Sequence, residues 1–279
     1  MKKISADTIY KKVKQKILEA VTVLRDDVII AIKEALKKEK NKLAKEVLEQ
    51  ILKNAEIAKK YKLPLCQDTG IGVFFCEIGS EVEIEGGSLK NILTKAMIDA
   101  YKEGYFRNSM CDPLTRKNTG DNSPAMFHFD LIEGDSLKIY FMARGGGSEN
   151  VCFSSMLLPS SGWRRIKKFV IDKIKLRGLN TCLPLVVGLG IGGSFEYVST
   201  LAKKALFRPL GSPNPDPELD KMEKELLKEI NDLNIGPMGF GGRTTCLGVH
   251  INKYPCHIAT LPVAISIQCH SIRWRLIEF

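Results

Sequence analysis

Several features that would settle the class of this chain at a glance are missing from it. No run of 18 uninterrupted apolar residues occurs in its 279 positions, which excludes a membrane-spanning helix. The opening Met1-Lys2-Lys3-Ile4-Ser5-Ala6-Asp7 has no apolar segment of the kind a secretory signal needs, so a cytoplasmic location is expected. Eight cysteines are present, but none forms a CxxC pair, which excludes a local zinc ribbon or ferredoxin-type run. In a cytoplasmic chain they are expected as thiols rather than disulfides. Aromatic residues are 8%, and only Tyr10 and Tyr61 stand among the basic residues of the N-terminal region. That is too few for a base-stacking platform, and no nucleic-acid partner is expected. HExxH and GxSxG are absent, as are internal repeats and low-complexity segments.

What remains is an ordinary globular composition, 44% hydrophobic with 23 glycines. The net charge is +10, and residues 1–60 carry 16 basic against 9 acidic residues. The signs are interleaved there, Glu34 lying beside Lys33 and Lys37, as on the solvated faces of amphipathic helices. A positive field would also suit a small anionic substrate.

Apolar residues recur at helical spacing through residues 7–61, at Ile9, Val13, Ile17 and Val21, then Val28, Ile32 and Leu36, then Leu43, Val47 and Ile51. Pro64 ends that region. Ile71–Glu85 predicts strands, Leu89–Tyr105 a helix, and residues 107–124 a long polar loop dense in turn formers. Phe127–Ile132 and Leu137–Ala143 are expected to form a hairpin around Glu133-Gly134-Asp135. Ile166–Leu176, Phe195–Leu206 and Glu218–Leu233 predict helices, and Leu183–Val187, Cys246–Ile251 and Leu261–Cys269 predict strands. Helices and strands mix without strict alternation. The expected fold is α+β (irregular α/β), a single domain over residues 1–279 with residues 1–61 as a candidate helical lobe.

Four segments could carry chemistry. Pro64-Leu65-Cys66-Gln67-Asp68-Thr69-Gly70 sets a thiol, an amide and a carboxylate side by side where helix gives way to strand. Arg144-Gly145-Gly146-Gly147 follows a strand and would let backbone N–H groups approach an anion, although no P-loop Gly-Lys-Ser/Thr follows. Gly188, Gly190 and Gly193 match GxGxxG between a predicted strand and helix, the context of a dinucleotide site. A second strand ending in Asp or Glu should then come about 20 residues later. Instead Arg208-Pro209-Leu210-Gly211-Ser212-Pro213-Asn214-Pro215 follows, and proline cannot occupy a central strand. A nicotinamide-dependent oxidoreductase is therefore a remote alternative. The fourth segment, Gly236–Thr245, precedes Cys256-His257 and Cys269-His270; His257 follows a Tyr-Pro-Cys turn, whereas His128 and His250 lie on predicted strands.

Read together, PLCQDTG, FRNSMCDPLTRKNTGDNSPA, ARGGGSEN, CLPLVVGLGIGG, GPMGFGGRTT and CHIATLPVAISIQC resemble, in that order, the α subunit of class I fumarate hydratases, a family that includes L-tartrate dehydratase. The resemblance runs from about residue 6 to the C-terminus. It implies an iron–sulfur hydro-lyase whose active site is completed by a separate β subunit, in an α2β2 assembly. It further implies a 4Fe–4S cluster on Cys66, Cys182 and Cys269, with one iron left open to act as a Lewis acid on a small dicarboxylate. By the same resemblance Asp68 and His257 are catalytic, and Gln67, Asp68, Arg107, Gly146, Gly147 and His257 surround the substrate. The β subunit would supply the catalytic base and further cations, so this chain alone is expected to be inactive. Fumarate is the expected substrate and L-tartrate the alternative. Arg144 stands where many relatives carry lysine, and the GxGIGG segment is expected to serve close packing beside Cys182.

Overall fold

The computed structural model describes residues 1–279. The chain divides into two compact units, one of Met1–Leu24, Asn54–Gly146 and Arg273–Phe279, the other of Arg25–Lys53 and Gly147–Ile272. The expected mixture of helices and strands is what forms, and the N-terminal helices are apportioned to both units.

In the first unit, β1 (Lys2–Ser5) pairs in parallel with β3 (Val82–Glu85). Ser5 caps α1 (Ala6–Thr22) by accepting from the Thr8 N–H. Ile9, Val13, Ile17 and Val21 of α1 are fully buried, as their spacing predicts. They share a core with Leu93, Ala96, Met97 and Tyr101 of α4 (Leu89–Glu103). That core covers a four-stranded sheet of β2 (Ile71–Gly79), β4 (Met126–Ile132), β5 (Leu137–Arg144) and β10 (Arg273–Glu278).

The sheet corrects the hairpin expectation. Its order is β10-β5-β2-β4, with β2 between the two strands expected to pair. β4 runs parallel to β2 and β5 antiparallel to it. The cause lies in β2, whose Val73-Phe74-Phe75-Cys76 run is buried on both faces and so takes a central position. The Glu133–Asp135 connection passes over the end of β2, where the Gly79 and Glu81 amides donate to the Ser136 and Gly134 carbonyls.

In the second unit, β6 (Phe153–Leu157), β9 (Leu261–Gln268), β7 (Leu185–Gly192) and β8 (Cys246–Tyr254) form a sheet in that order, with β7 and β8 parallel and β9 antiparallel to both its neighbours. Leu185, Val187 and Leu189 pack with Ile166, Val170 and Ile174 of α6 (Gly162–Arg177) and with Leu219, Leu226 and Ile230 of α8 (Pro217–Asn231). The other side of β7 faces α7 (Phe195–Ala205). α2 (Asp26–Lys38) packs on β8. The boundary between the units falls within α3 (Lys42–Tyr61), whose start is capped by Asn41 Oδ1.

The glycine-rich segment is not a turn after a strand; it is the strand. Gly188 and Gly190 point alternately with the buried aliphatics, onto α7. A Cβ at Gly188 would lie 2.1 Å from the Ala202 carbonyl oxygen, and one at Gly190 would lie 2.3 Å from that of Val198. The glycines bring a helix backbone onto the strand. The close packing expected of this segment is therefore present, but its partner is α7 rather than the neighbourhood of Cys182.

Candidate functional site

The first unit gathers the PLCQDTG segment, the polar loop and the start of the triple glycine around Asp68. Asp68 Oδ2 accepts from the Gly146 N–H at 2.7 Å, and Oδ1 accepts from Ser109 Oγ at 3.4 Å. The Asp68 carbonyl accepts from Arg273 Nη1 at 2.8 Å. A side chain at Gly145 would intrude between these groups, since its Cβ would stand 3.0 Å from Asp68 Oδ2 and 3.4 Å from Arg273 Nη2. Thr69, fully buried, donates through Oγ1 to the Arg107 carbonyl at 2.8 Å, leaving the Arg107 side chain exposed. Gln67 is exposed and Cys66 half-buried in the same segment. Gly70, at φ +83°, presses against the Arg144 carbonyl where a Cβ would be 2.2 Å away, so only glycine fits.

The polar loop is ordered by its own side chains. Buried Asn122 accepts from the Ser109 and Met110 amides at 2.7 and 3.1 Å and donates to the Gly70 carbonyl at 3.1 Å. Asp112 Oδ1 accepts from the Leu114 and Thr115 amides, Asp121 Oδ1 from that of Ser123, and Asn118 bridges to the Asn108 carbonyl.

Two placements differ from expectation. The triple glycine was expected to let backbone N–H groups approach an anion; α5 (Gly146–Glu149) is a single helical turn there, and the Gly146 N–H donates to the Asp68 carboxylate. Gly146 thus orients the Asp68 carboxylate. Arg273, almost fully buried, was not singled out from the sequence. Its strand gave no local signal, since β10 also carries Arg275 and Glu278 and is only partly buried.

In the second unit, Cys182 and Cys269 lie on adjacent segments. The His270 N–H donates to the Cys182 carbonyl at 3.4 Å, and Val186 pairs with Gln268 where β7 begins and β9 ends. Cys182 is exposed and Cys269 half-buried. Ser148 Oγ accepts from the Cys269 N–H at 3.3 Å, and Ser271 Oγ stands 3.2 Å from Cys269 Sγ. Gly147 approaches Thr181, whose Oγ1 would lie 3.7 Å from a Cβ there. No further Cys, His, Asp or Glu joins the pair to make a three-ligand group within this unit.

His257 lies elsewhere. It sits on the exposed turn after β8, beside a cavity of about 650 Å³ lined by Ser194, Tyr197, Tyr254 and Cys256. β7 pairs with β8 out to Gly192–Tyr254, so most of the length of β7, roughly 20 Å, separates this turn from Cys182 and Cys269. Its Nδ1 accepts from the Ala259 N–H at 3.1 Å, leaving Nε2 as the position for a proton. The Gly236–Thr245 segment is tied to the connection before α3: Glu39 accepts from the Arg243 N–H, and Asn41 donates to the Phe240 carbonyl.

The thiols sort by environment. Burial pushes Cys76 and Cys246 up to about 12, so neither supplies a thiolate. Cys66, Cys182 and Cys269 are at least partly accessible, as a donor to an iron–sulfur cluster must be, and so are Cys111, Cys152 and Cys256.

The family model described as "Fumarate hydratase (Fumerase)" matches residues 10–278. A chain of Methanocaldococcus jannaschii, provisionally named an L(+)-tartrate dehydratase subunit alpha, is 41% identical over 261 residues, covering 91% of this chain and 92% of that one. The L(+)-tartrate dehydratase subunits alpha of Escherichia coli K12 and Shigella sonnei are each 33% identical over 256 residues, 90% of this chain and 84% of theirs. No helix is long and apolar enough to cross a membrane. With the match spanning nearly the whole chain, the protein belongs to the fumarate hydratase (Fumerase) family and is a hydro-lyase.

Proposed function

We propose that this chain is the α subunit of a two-subunit iron–sulfur hydro-lyase that removes water from L(+)-tartrate. The carrying observation is that relatives at 33–41% identity over nine-tenths of the chain bear that name. It favours tartrate over the fumarate first expected; hydration of fumarate stays as the second reading because the matching family model is described by it. The subunit name supports a separate β partner, and we take the assembly to be α2β2 in the cytoplasm.

In this reading Cys66, Cys182 and Cys269 hold a 4Fe–4S cluster by their thiolates. When bound, the cluster supplies an open iron that acts as a Lewis acid on the carboxylate and hydroxyl of the substrate. Asp68 is the chain's proton-handling group. Its Oδ2 is fixed by the Gly146 N–H, and Oδ1, with one long contact to Ser109 Oγ, is the atom to accept a hydrogen bond from the substrate hydroxyl. Arg107 offers an exposed guanidinium for bidentate pairing with a substrate carboxylate, and Gln67 offers an exposed amide. Gly147 lets the substrate approach the backbone next to Thr181. Arg273, through the Asp68 carbonyl, is a positioning residue. His257 lies at the opposite end of β7 from Cys182 and Cys269. The proton-abstracting base and further cations are assigned to the β subunit.

The test is iron and acid-labile sulfide per chain after anaerobic co-purification with the β subunit, followed by assays on L(+)-tartrate and fumarate. About four of each, with tartrate turned over faster, is the expected result. Neither iron nor sulfide after anaerobic reconstitution would overturn the cluster reading, and a preference for fumarate would overturn the substrate assignment.

A further inference from the structure

The sheet of the first unit ends on a strand whose outer edge is open. β4 pairs with β2 along its whole length and with no strand on its other side. Its seven residues, Met126-Phe127-His128-Phe129-Asp130-Leu131-Ile132, leave Met126 37%, Phe129 44% and Leu131 85% exposed. Proline, lysine and bulges, the usual devices that blunt an edge, are missing from it, and its register with β2 is unbroken. An apolar edge of this kind is a pairing surface.

We propose that it is covered by β4 of a second copy of this chain, the two strands pairing antiparallel about a two-fold axis through Phe129. Such an axis stands perpendicular to the sheet, so directly opposed residues share a face and one residue lies on the axis itself. With Phe129 on the axis, Phe127 opposes Leu131, His128 opposes Asp130, and Met126 opposes Ile132. All seven residues are used with no overhang. One face then carries Phe127, Phe129 and Leu131 of both copies. This extends an aromatic row in which Phe127 already stacks on Phe74 at 5.3 Å and on Phe129 at 5.8 Å. The opposite face sets each imidazole against an opposing carboxylate, a complementary cross-strand pair formed twice. Shifting the axis one residue earlier opposes His128 to itself and Met126 to Asp130; shifting it one later opposes Asp130 to itself. The sequence of β4 therefore specifies register as well as partner, and two four-stranded sheets become one. This deepens the two-α part of the assembly proposed above and is independent of its chemistry.

The test uses the full chain co-purified with its β subunit, light scattering for mass, and mild oxidation of Phe129→Cys and Leu131→Cys variants. In the proposed register the two residues at 129 face each other with Cα atoms about 4.5–5.5 Å apart, within disulfide reach. The two at 131 are offset by four residues, about 13 Å. The expected result is two α chains per particle and a chain-to-chain cross-link in Phe129→Cys, well above the parent background and absent in Leu131→Cys. Random collision would favour the more exposed position 131. One α chain per particle, or equal cross-linking of both variants, overturns the inference; the parent's mass decides should Phe129→Cys fail to fold. Tartrate turnover measured on the parent separates the two proposals, because active single-α particles refute only this one and inactive two-α particles refute only the other.

Discussion

Mild acid should weaken the second unit through one buried imidazole. His250 lies on β8 with 3% of its surface exposed, and its Nδ1 has no hydrogen-bond partner. Burial first, then the Arg208 guanidinium, pushes its pKa down to about 4; Arg25 adds to the shift, while the Ala205 carbonyl and Asp27 oppose it. In the unfolded chain the same group titrates near 6.5. Between these values the unfolded chain binds a proton that the folded chain refuses. Stability is therefore undiminished above about pH 7 and falls as pH drops through the window, by about 2 kcal/mol at pH 5 and about 3 kcal/mol near pH 4. The carboxylates with a resolved shift are all held below their ordinary range, and comparison with a variant lacking the imidazole isolates its share of the change from pH 7 to 5. Urea unfolding of the parent and of His250→Gln at pH 7.5, 6 and 5 is the assay. The parent should lose about 2 kcal/mol across the series and the variant markedly less. An equal loss in both, or an NMR titration of His250 centred near 6.5, would refute the reasoning.

Three further outcomes are expected. Asp68→Asn keeps an oxygen for the Gly146 N–H but removes the charge, so turnover should fall about 10²–10⁴-fold while stability moves by no more than about 1 kcal/mol; unchanged turnover would remove Asp68 from the chemistry. Gly190→Ala drives a Cβ to 2.3 Å from the Val198 carbonyl of α7 and should cost about 1–3 kcal/mol, read as a drop in Tm. An unshifted melting curve would contradict the helix-on-strand account of the glycines. Serine at Cys66, Cys182 or Cys269 should abolish iron retention after anaerobic reconstitution, whereas serine at buried Cys76 or Cys246 should lower stability and spare the iron; the reverse pattern would reassign the ligands.

The helices were legible because each needs only its own periodicity, and Ile9, Val13 and Ile17 are buried as that periodicity requires. Strand existence was legible for the same reason, but strand neighbours were not. Nothing local in Phe127–Ile132 says that a strand from fifty residues earlier will insert beside it. That outcome depends on where the two-face burial of β2 must be placed. The glycines of β7 were legible as a site of close packing but not as to its partner, because GxGxxG describes close backbone approach without naming what approaches, here a helix rather than a pyrophosphate. Asp68, Gln67 and Arg107 were singled out by the family resemblance rather than by local pattern, and the structure ties the backbone of Arg107 to the segment of Asp68 through Thr69 Oγ1. Arg273 was missed because its partner is a main-chain carbonyl, which leaves no mark on the sequence.

The cross-bracing of residues 107–124 has a kinetic corollary. A segment tied down at Asn122, Asp112, Asp121 and Asn118 cannot swing as a lid, and the backbone of Arg107 is clamped by Thr69 before any ligand arrives. Little disorder is surrendered on capture, so an anion meeting this surface should associate at a rate limited by encounter and ionic strength rather than by loop closure.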